Sequence, residues 1–248
     1  MSETMKINRY YSIGQASKIC DVSPRMLRYY EEIGLIRPDK ISEETQHKIE
    51  YYHQRLDSLK GWCGLIIEGK EALRHRAFSP HITYLPKRLY FYYERERSPE
   101  EKNSEIYIET EYFTKSKKDG HSMVDVGGAF TLYYPSWRER MENTYTRQTL
   151  LQIMYENSSS LENTIEFGGF NAVCAYHIGD TDQIRDTYEK LVEWCERHIF
   201  ALCGDCLERQ VLDIYSTRDR SLFVTELLLP LEEETDNMKI MSRWQQKL

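Results

Sequence analysis

In the stretch SPRMLRYYEEIGL, residues 23–35, Arg25, Arg28 and Tyr29 fall at a spacing that puts them on the outward face of a helix, with Met26, Leu27 and Tyr30 turned inward. Guanidinium groups bond bidentately to phosphate or to the guanine edge, and a tyrosine hydroxyl suits a phosphate oxygen. That is the chemistry a major-groove helix needs; the alternative is the solvated face of a small helical hairpin. A second reactive group is Glu226, alone in the apolar run VTELLLP, residues 224–230. A carboxylate among such neighbours is costly unless it lies at an edge or has a partner. Strand alternation places Val224, Glu226 and Leu228 on one face and Thr225, Leu227 and Leu229 on the other. Tyrosine is abundant, 19 of 248 residues, and aromatic faces attract a delocalised cation by roughly 0.5–2 kcal/mol each. A flat, greasy cation is the guest that such an acid among tyrosines would favour. For any single tyrosine the alternative is core packing.

Other chemistry is thinly represented. Cys203 and Cys206 form a CxxC, but no second pair or histidine cluster follows at zinc-site spacing, and six cysteines are too few for a disulfide scaffold. No metal and no cofactor is expected. His177 and His198 are isolated, and no nucleophile with base and orienting acid is visible, so no catalytic residue is expected.

The positioning elements follow from local signals. Ser12 and Gln15 form a capping box ahead of Ile13, Ala16 and Ile19, Asp21 and Val22 interrupt the helix, and Ser23 with Pro24 starts the next, which Gly34 ends. Ile49, Tyr52, Leu56, Leu59, Cys63, Ile66, Lys70 and Leu73 then recur at alternating steps of three and four, the period of a coiled coil. The same stripe could instead pack on the chain's own body. Gly61, Gly64 and Gly69 each cost about 1 kcal/mol in a helix interior and predict a weaker C-terminal half. After Pro80, strands are expected at 88–94, 129–134, 150–156, 171–178, 211–216 and 222–230, with helices at 99–120 and between Thr181 and Phe200. The order strand, helix, strand, strand occurs twice. It predicts a duplicated α+β domain with both helices on one side of an antiparallel sheet and a cleft between the halves.

Charge separates these parts. The chain carries a formal −7, but residues 1–40 hold seven Lys/Arg and five Asp/Glu, so the excess of acid lies wholly in the remainder. Only the front end suits nucleic acid, and its small excess predicts weak binding unless two copies combine. No window of about eighteen apolar residues and no signal-peptide core is present, so a soluble, cytoplasmic protein with no membrane partner is expected.

The string SIGQASKICDVSPRMLRYYEEIGLIRP resembles the head of MerR-family transcription regulators. The resemblance implies double-stranded promoter DNA as partner, contacted through Tyr11, Lys18, Arg25, Arg28, Tyr29 and Arg37. It also implies a homodimer built on an antiparallel coiled coil, and RNA polymerase as an indirect partner, through a promoter spacer untwisted on activation. The chain departs from the family after Pro38: it leads almost directly into ISEETQHKIEYYHQ, without the wing and two supporting helices. Metal-sensing members bind through cysteines flanking the linker helix, where only Cys63 stands. The body, most specifically IEFGGFNAVCAYHIGDTDQIRDTYEKLVEWCERHIFAL with LERQVLDIYS and TELLLPL, looks like the gyrase-inhibitor-like effector domain of the multidrug-responsive, BmrR-like branch. That likeness implies a small lipophilic cation as ligand, with Glu226 the pairing carboxylate and Tyr93, Tyr133, Trp137, Tyr155 and Tyr176 as aromatic walls. The expected organisation is α+β: residues 1–40 a shortened helix-turn-helix head, 41–77 a coiled-coil linker helix, 78–235 an effector-binding domain and 236–248 a tail. A second reading keeps the body as a sequestering module, or a small hydrolase using a glutamate, behind a head that no longer reads DNA.

Overall fold

The computed structural model describes residues 11–36, 43–98, 101, 104–118, 126–154 and 163–232; Arg37, Tyr155 and the tail from 236 lie outside them. The chain divides into two compact units, Met1–His53 and Gln54–Leu248.

In the first unit, α1 (Ile13–Cys20) starts at the expected capping box: the Gln15 N–H donates to Ser12 Oγ at 3.3 Å, and Gln15 Oε1 accepts from the Ser12 N–H at 2.8 Å. α2 (Pro24–Glu32) starts at Ser23, whose Oγ accepts from the Met26 N–H at 3.2 Å, with Pro24 at the first helical position. It closes at Gly34, whose φ of +72° is the left-handed turn that glycine takes without strain. Leu27 and Tyr30 are half-buried, but Met26 is exposed, contrary to its expected inward orientation. No side chain of α1 or α2 is buried, and Ile13, Ile19, Ile33, Leu35 and Ile36 are exposed as well. Two short helices cannot cover one another's apolar faces, so among the described residues this unit has no closed core of its own.

α3 (Glu43–Arg74) runs unbroken through all three glycines. Tertiary packing outweighs their propensity cost, because Leu65, Gly69 and Ala72, with Trp62 and Leu73 beside them, lie on the sheet against Ala129, Val211, Leu212 and Val224. At Gly69 a Cβ would sit 2.3 Å from the Leu212 side chain, so only glycine lets the helix approach this closely. Most of the coiled-coil stripe lies off this contact: Ile49, Tyr52, Leu56, Leu59, Cys63, Ile66 and Lys70 are exposed, whereas its last member, Leu73, packs beside the sheet.

The body is one eight-stranded antiparallel sheet in the order β1-β6-β8-β7-β3-β4-β2-β5. Its strands are β1 (His81–Leu85), β2 (Arg88–Glu96), β3 (Val126–Tyr134), β4 (Arg147–Met154), β5 (Thr164–Phe167), β6 (Phe170–Ile178), β7 (Cys206–Leu212) and β8 (Val224–Pro230). The helices are α4 (Ser104–Lys118), the short α5 (Trp137–Met141) and α6 (Arg185–Arg197). The expected duplication is visible in the topology: β2-α4-β3-β4 and β6-α6-β7-β8 each pair first to third to second strand, and β3·β7 joins the halves. The short edge strands, unforeseen in the sequence, are exchanged: β1 precedes β2 but pairs with β6, and β5 precedes β6 but pairs with β2. Residues 213–216, expected as strand, form a turn in which Asp213 Oδ1 accepts from the Tyr215 and Ser216 N–H groups at 2.9 and 3.1 Å. An aspartate that caps its own backbone in this way ends the ladder.

Both helices cover the same face, where Ile108 and Tyr112 of α4 and Tyr188, Leu191 and Cys195 of α6 pack on Leu132, Tyr134, Leu150, Val173, Ala175, Leu227 and Leu229. The opposite face carries Tyr90, Tyr133, Leu151, Phe167, Cys174, Leu207 and Leu228. No helix among the described residues is long and apolar enough to cross a membrane.

Asp205, in the turn before β7, is buried without a hydrogen-bond partner from another described residue. Burial pushes its carboxyl up to about 6, with a bond from its own backbone N–H opposing. A folded-state pKa above the unfolded value means that the native state holds this proton more tightly. The contribution of this group to stability is therefore highest below pH ~4 and declines as pH rises from about 4 to about 6, by roughly 1.4 kcal/mol per unit. Asp205→Asn should remove that decline. Urea unfolding at pH 8 should show a gain of about 2 kcal/mol, below the full linkage value because the amide brings its own unpaired N–H groups; an equal stability of both proteins at pH 8 would refute the assignment.

Candidate functional site

Glu226 is 7 % exposed and lies, with Leu228, on the face opposite α4 and α6. Its position follows from register. Tyr176 on β6 and Arg209 on β7 are its direct partners on the two flanking strands, so three polar side chains share one row of the sheet. The next row along the strands reaches the β1 edge and places His81, Cys174, Leu228, Leu207 and Tyr133 side by side across five strands.

The carboxylate is engaged by an internal cation. Arg209 Nε donates to Glu226 Oε2 at 2.6 Å, while its two terminal nitrogens donate to the two oxygens of Glu68 on α3, one of them at 3.1 Å. Tyr176 Oη donates to Glu68 Oε1 at 2.7 Å. Burial works against the Arg209 charge, but the carboxylates of Glu226 and Glu68 outweigh it and hold the guanidinium above its ordinary pKa. Tyr176 is held neutral, first by burial and then by the acceptor Glu68. The network holds two carboxylates and one guanidinium, a formal charge of −1, so it can accept one further positive charge. The aromatic ground lies alongside: Tyr90 and Tyr133 meet Phe167 edge-on with ring centroids 6.0 and 6.1 Å apart, and Phe167 meets Phe170 at 5.5 Å.

The structure brings Tyr133 and Tyr176 to the Glu226 face and removes two expected members from it. Tyr93 turns to the helix side, where its hydroxyl donates to Glu111 of α4 at 3.1 Å; strand alternation gives Tyr90 and Tyr92 the other face instead. Trp137 is buried in α5 within the helix-side core, with the Arg138 guanidinium 4.3 Å over its ring. Tyr155 is outside the described residues. Arg209, Glu68, His81, Cys174 and Phe167 were not foreseen. The one available signal was Arg209 itself, since a cation sharing a strand face with Leu207 and Val211 needs a buried partner. At the front end, Tyr11, Lys18, Arg25, Arg28 and Tyr29 are all exposed, and Arg37 is outside the described residues.

His177 and His198 have structural surroundings. His177 Nδ1 lies 2.8 Å from Thr187 Oγ1 and Nε2 lies 2.9 Å from the Asp180 carbonyl, and burial lowers the pKa of the ring. His198 stacks on Trp194 at 4.1 Å.

Comparison with known proteins finds family matches in two parts of the chain. Residues 12–44 match the MerR family regulatory protein description, and residues 78–232 match the GyrI-like small molecule binding domain. Two curated relatives from Bacillus subtilis (strain 168) match short stretches of the chain. They are the multidrug-efflux transporter 1 regulator, 44 % identical over 43 residues, and the multidrug-efflux transporter 2 regulator, 41 % identical over 54 residues. These matches take in 17 % and 22 % of this chain and only 15 % and 19 % of the relatives' own lengths. In fold, the chain is similar to EcmrR in its DNA complex, with a TM-score of 0.51 at 19 % identity over 90 % of this chain and all of that one. It is likewise similar to the EcmrR C-terminal domain, with a TM-score of 0.52 at 16 % identity over 63 % of this chain and 98 % of that one. With more than half its length in that domain, the chain belongs to the GyrI-like small molecule binding domain family, and the shorter match to the MerR family regulatory protein lies in front of it.

Proposed function

We propose that this protein is a cytoplasmic, ligand-responsive transcription regulator whose head binds promoter DNA and whose body binds small lipophilic cations. The observation that carries the reading is the Glu226 row: a buried carboxylate, flanked by tyrosine and close to an aromatic cluster, that already engages a planar delocalised cation, the Arg209 guanidinium. A site with two acids to one internal cation favours a further positive guest, and the adjoining aromatic surface favours a flat, apolar one. Arg209 also ties Glu226 to Glu68, and Glu68 stands on α3, the helix that leads N-terminally toward the head. A guest that competes for Glu226 changes the hold of the body on that helix, and it acts on DNA only through its unequal affinity for the two states. The exposed stripe on α3 suits a homodimer, which doubles the modest basic contacts of each head. RNA polymerase enters only indirectly, through the promoter.

The test is DNA retention at fixed salt, using the region upstream of the protein's own gene, with and without a cationic xanthene dye. Retention that changes with dye supports the regulator. Dye binding with no DNA retention by the full chain sinks it and leaves a sequestering module. Combined Arg25→Ala and Arg28→Ala should lower DNA affinity by about 100-fold, as loss of two base or phosphate contacts implies, and leave dye affinity unchanged.

A further inference from the structure

We infer that His81, Cys174 and Glu226 form a binding site for a thiophilic divalent metal ion of the zinc type, at the β1 edge of the sheet. The three residues are distant in sequence, and strand pairing unites them. His81 and Cys174 are direct partners across β1 and β6, and Glu226 is the partner of Tyr176, the next residue on the same face of β6. Imidazole nitrogen, thiol sulfur and carboxylate oxygen all lie within 4.8 Å of one another. Nitrogen, sulfur and oxygen donors in one cluster suit zinc, whereas calcium and magnesium take all-oxygen sets.

Two details favour ligation over a chance meeting. His81 Nδ1 lies 3.4 Å from the Ser79 carbonyl, which can only accept, and this contact suits the tautomer with the hydrogen on Nδ1 and the lone pair on Nε2. That Nε2 is the atom facing Cys174 Sγ, at 3.2 Å. Cys174 is buried, and its thiol, which carries a proton at neutral pH as an ordinary S–H donor, lies against His81 Nε2 and within reach of the Glu226 carboxylate. Binding replaces this proton: the S–H bond breaks, the sulfur keeps the electron pair and gives it to the metal, and the proton leaves to solvent. The charges then close. The thiolate, Glu226 and Glu68 sum with Arg209 to −2, which one divalent ion neutralises. Exposed His81 on an edge strand gives the ion a way in from solvent. Three protein donors leave the fourth tetrahedral position open.

Full-length protein in a non-thiol reductant, with Cys203→Ala to remove the CxxC as a competing site, is titrated with Co2+ and then Zn2+. The expected result is one equivalent of Co2+ per chain with a thiolate-to-cobalt charge-transfer band, displaced by Zn2+. Affinity should rise about tenfold per pH unit, because one proton leaves. Cys174→Ser should abolish the band. His81→Ala, at an exposed edge where folding is not at risk, should weaken binding at least tenfold. Glu226 serves both this site and the cation site of the proposed function, so Zn2+ should displace the dye from the parent protein and not from Cys174→Ser. Absence of the band, or a band that both variants keep in full, overturns the inference.

Discussion

Glu208→Ala is expected to destabilise the body by about 3–5 kcal/mol, the range for leaving one member of a buried ion pair uncompensated. Arg140 and Glu208 are 6 % and 1 % exposed at their side chains, on the helix-covered side of the sheet. Arg140 Nε meets Glu208 Oε1 at 2.8 Å and Nη2 donates to Oε2 at 3.1 Å. Tyr188 Oη donates to Glu208 Oε1 at 2.8 Å and lies 3.2 Å from Cys206 Sγ. Truncation takes the carboxylate from a buried guanidinium that also lies over the rings of Tyr134 and Tyr145, at 5.0 and 5.6 Å. Those faces return about 1–2 kcal/mol at most, less than the charge loses. The exposed pairs Arg185–Glu189 and Arg220–Asp180 set the contrast: breaking either should cost under about 1 kcal/mol. Urea unfolding followed by far-ultraviolet dichroism measures both classes. The decisive control is Arg140→Met with Glu208→Leu, which removes the two charges together and should recover most of the loss, since apolar replacement of a buried pair is often neutral. A single-variant cost near that of the surface pairs would mean that water reaches this pair.

The buried pair was invisible in the sequence for the reason that the Glu226 row was. Caps, helix ends and the linker periodicity depend on residues three or four apart, and Ser12, Ser23, Gly34 and α6 could be read directly. The faces of β8 were legible because its single acid marks the register. On β2 nothing marks it: RLYFYY is apolar on both sides, so the two-residue period cannot say which tyrosines turn toward the helices, and Tyr93 was placed opposite its true direction. Edge strands β1 and β5 are four or five residues long and pair with the other half of the chain, so local pattern carried no trace of their partners. His81, Cys174, Glu68 and Arg209 become neighbours only through that pairing and through α3 lying on the sheet. The donor spacing that identifies a local metal motif does not exist for them.

Arg209 and Glu226 should respond to substitution with opposite signs. Glu226→Gln removes the carboxylate while keeping its shape, and affinity for a lipophilic cation should fall by about 10–100-fold, as loss of a charge-assisted contact implies. A neutral compound of the same outline should be affected less than twofold. Arg209→Met removes the internal occupant. The row then carries two acids and no cation, so a guest meets −2 where it met −1. At a separation of about 6 Å and an effective dielectric near 20, one such charge is worth roughly 3 kcal/mol, and affinity for the cation should rise at least tenfold. Glu68→Gln acts the other way, because Arg209 is left to Glu226 alone and the row becomes neutral. The three variants therefore order the affinities as Arg209→Met above the parent, and the parent above Glu68→Gln and Glu226→Gln. Fluorescence titration with the dye and its uncharged analogue reads this order, with dichroism to check that each variant is folded. If Arg209→Met weakened the cation as much as Glu226→Gln does, the guanidinium would be part of the binding surface and not its competitor. The link from the cation site to α3 would then need a different carrier.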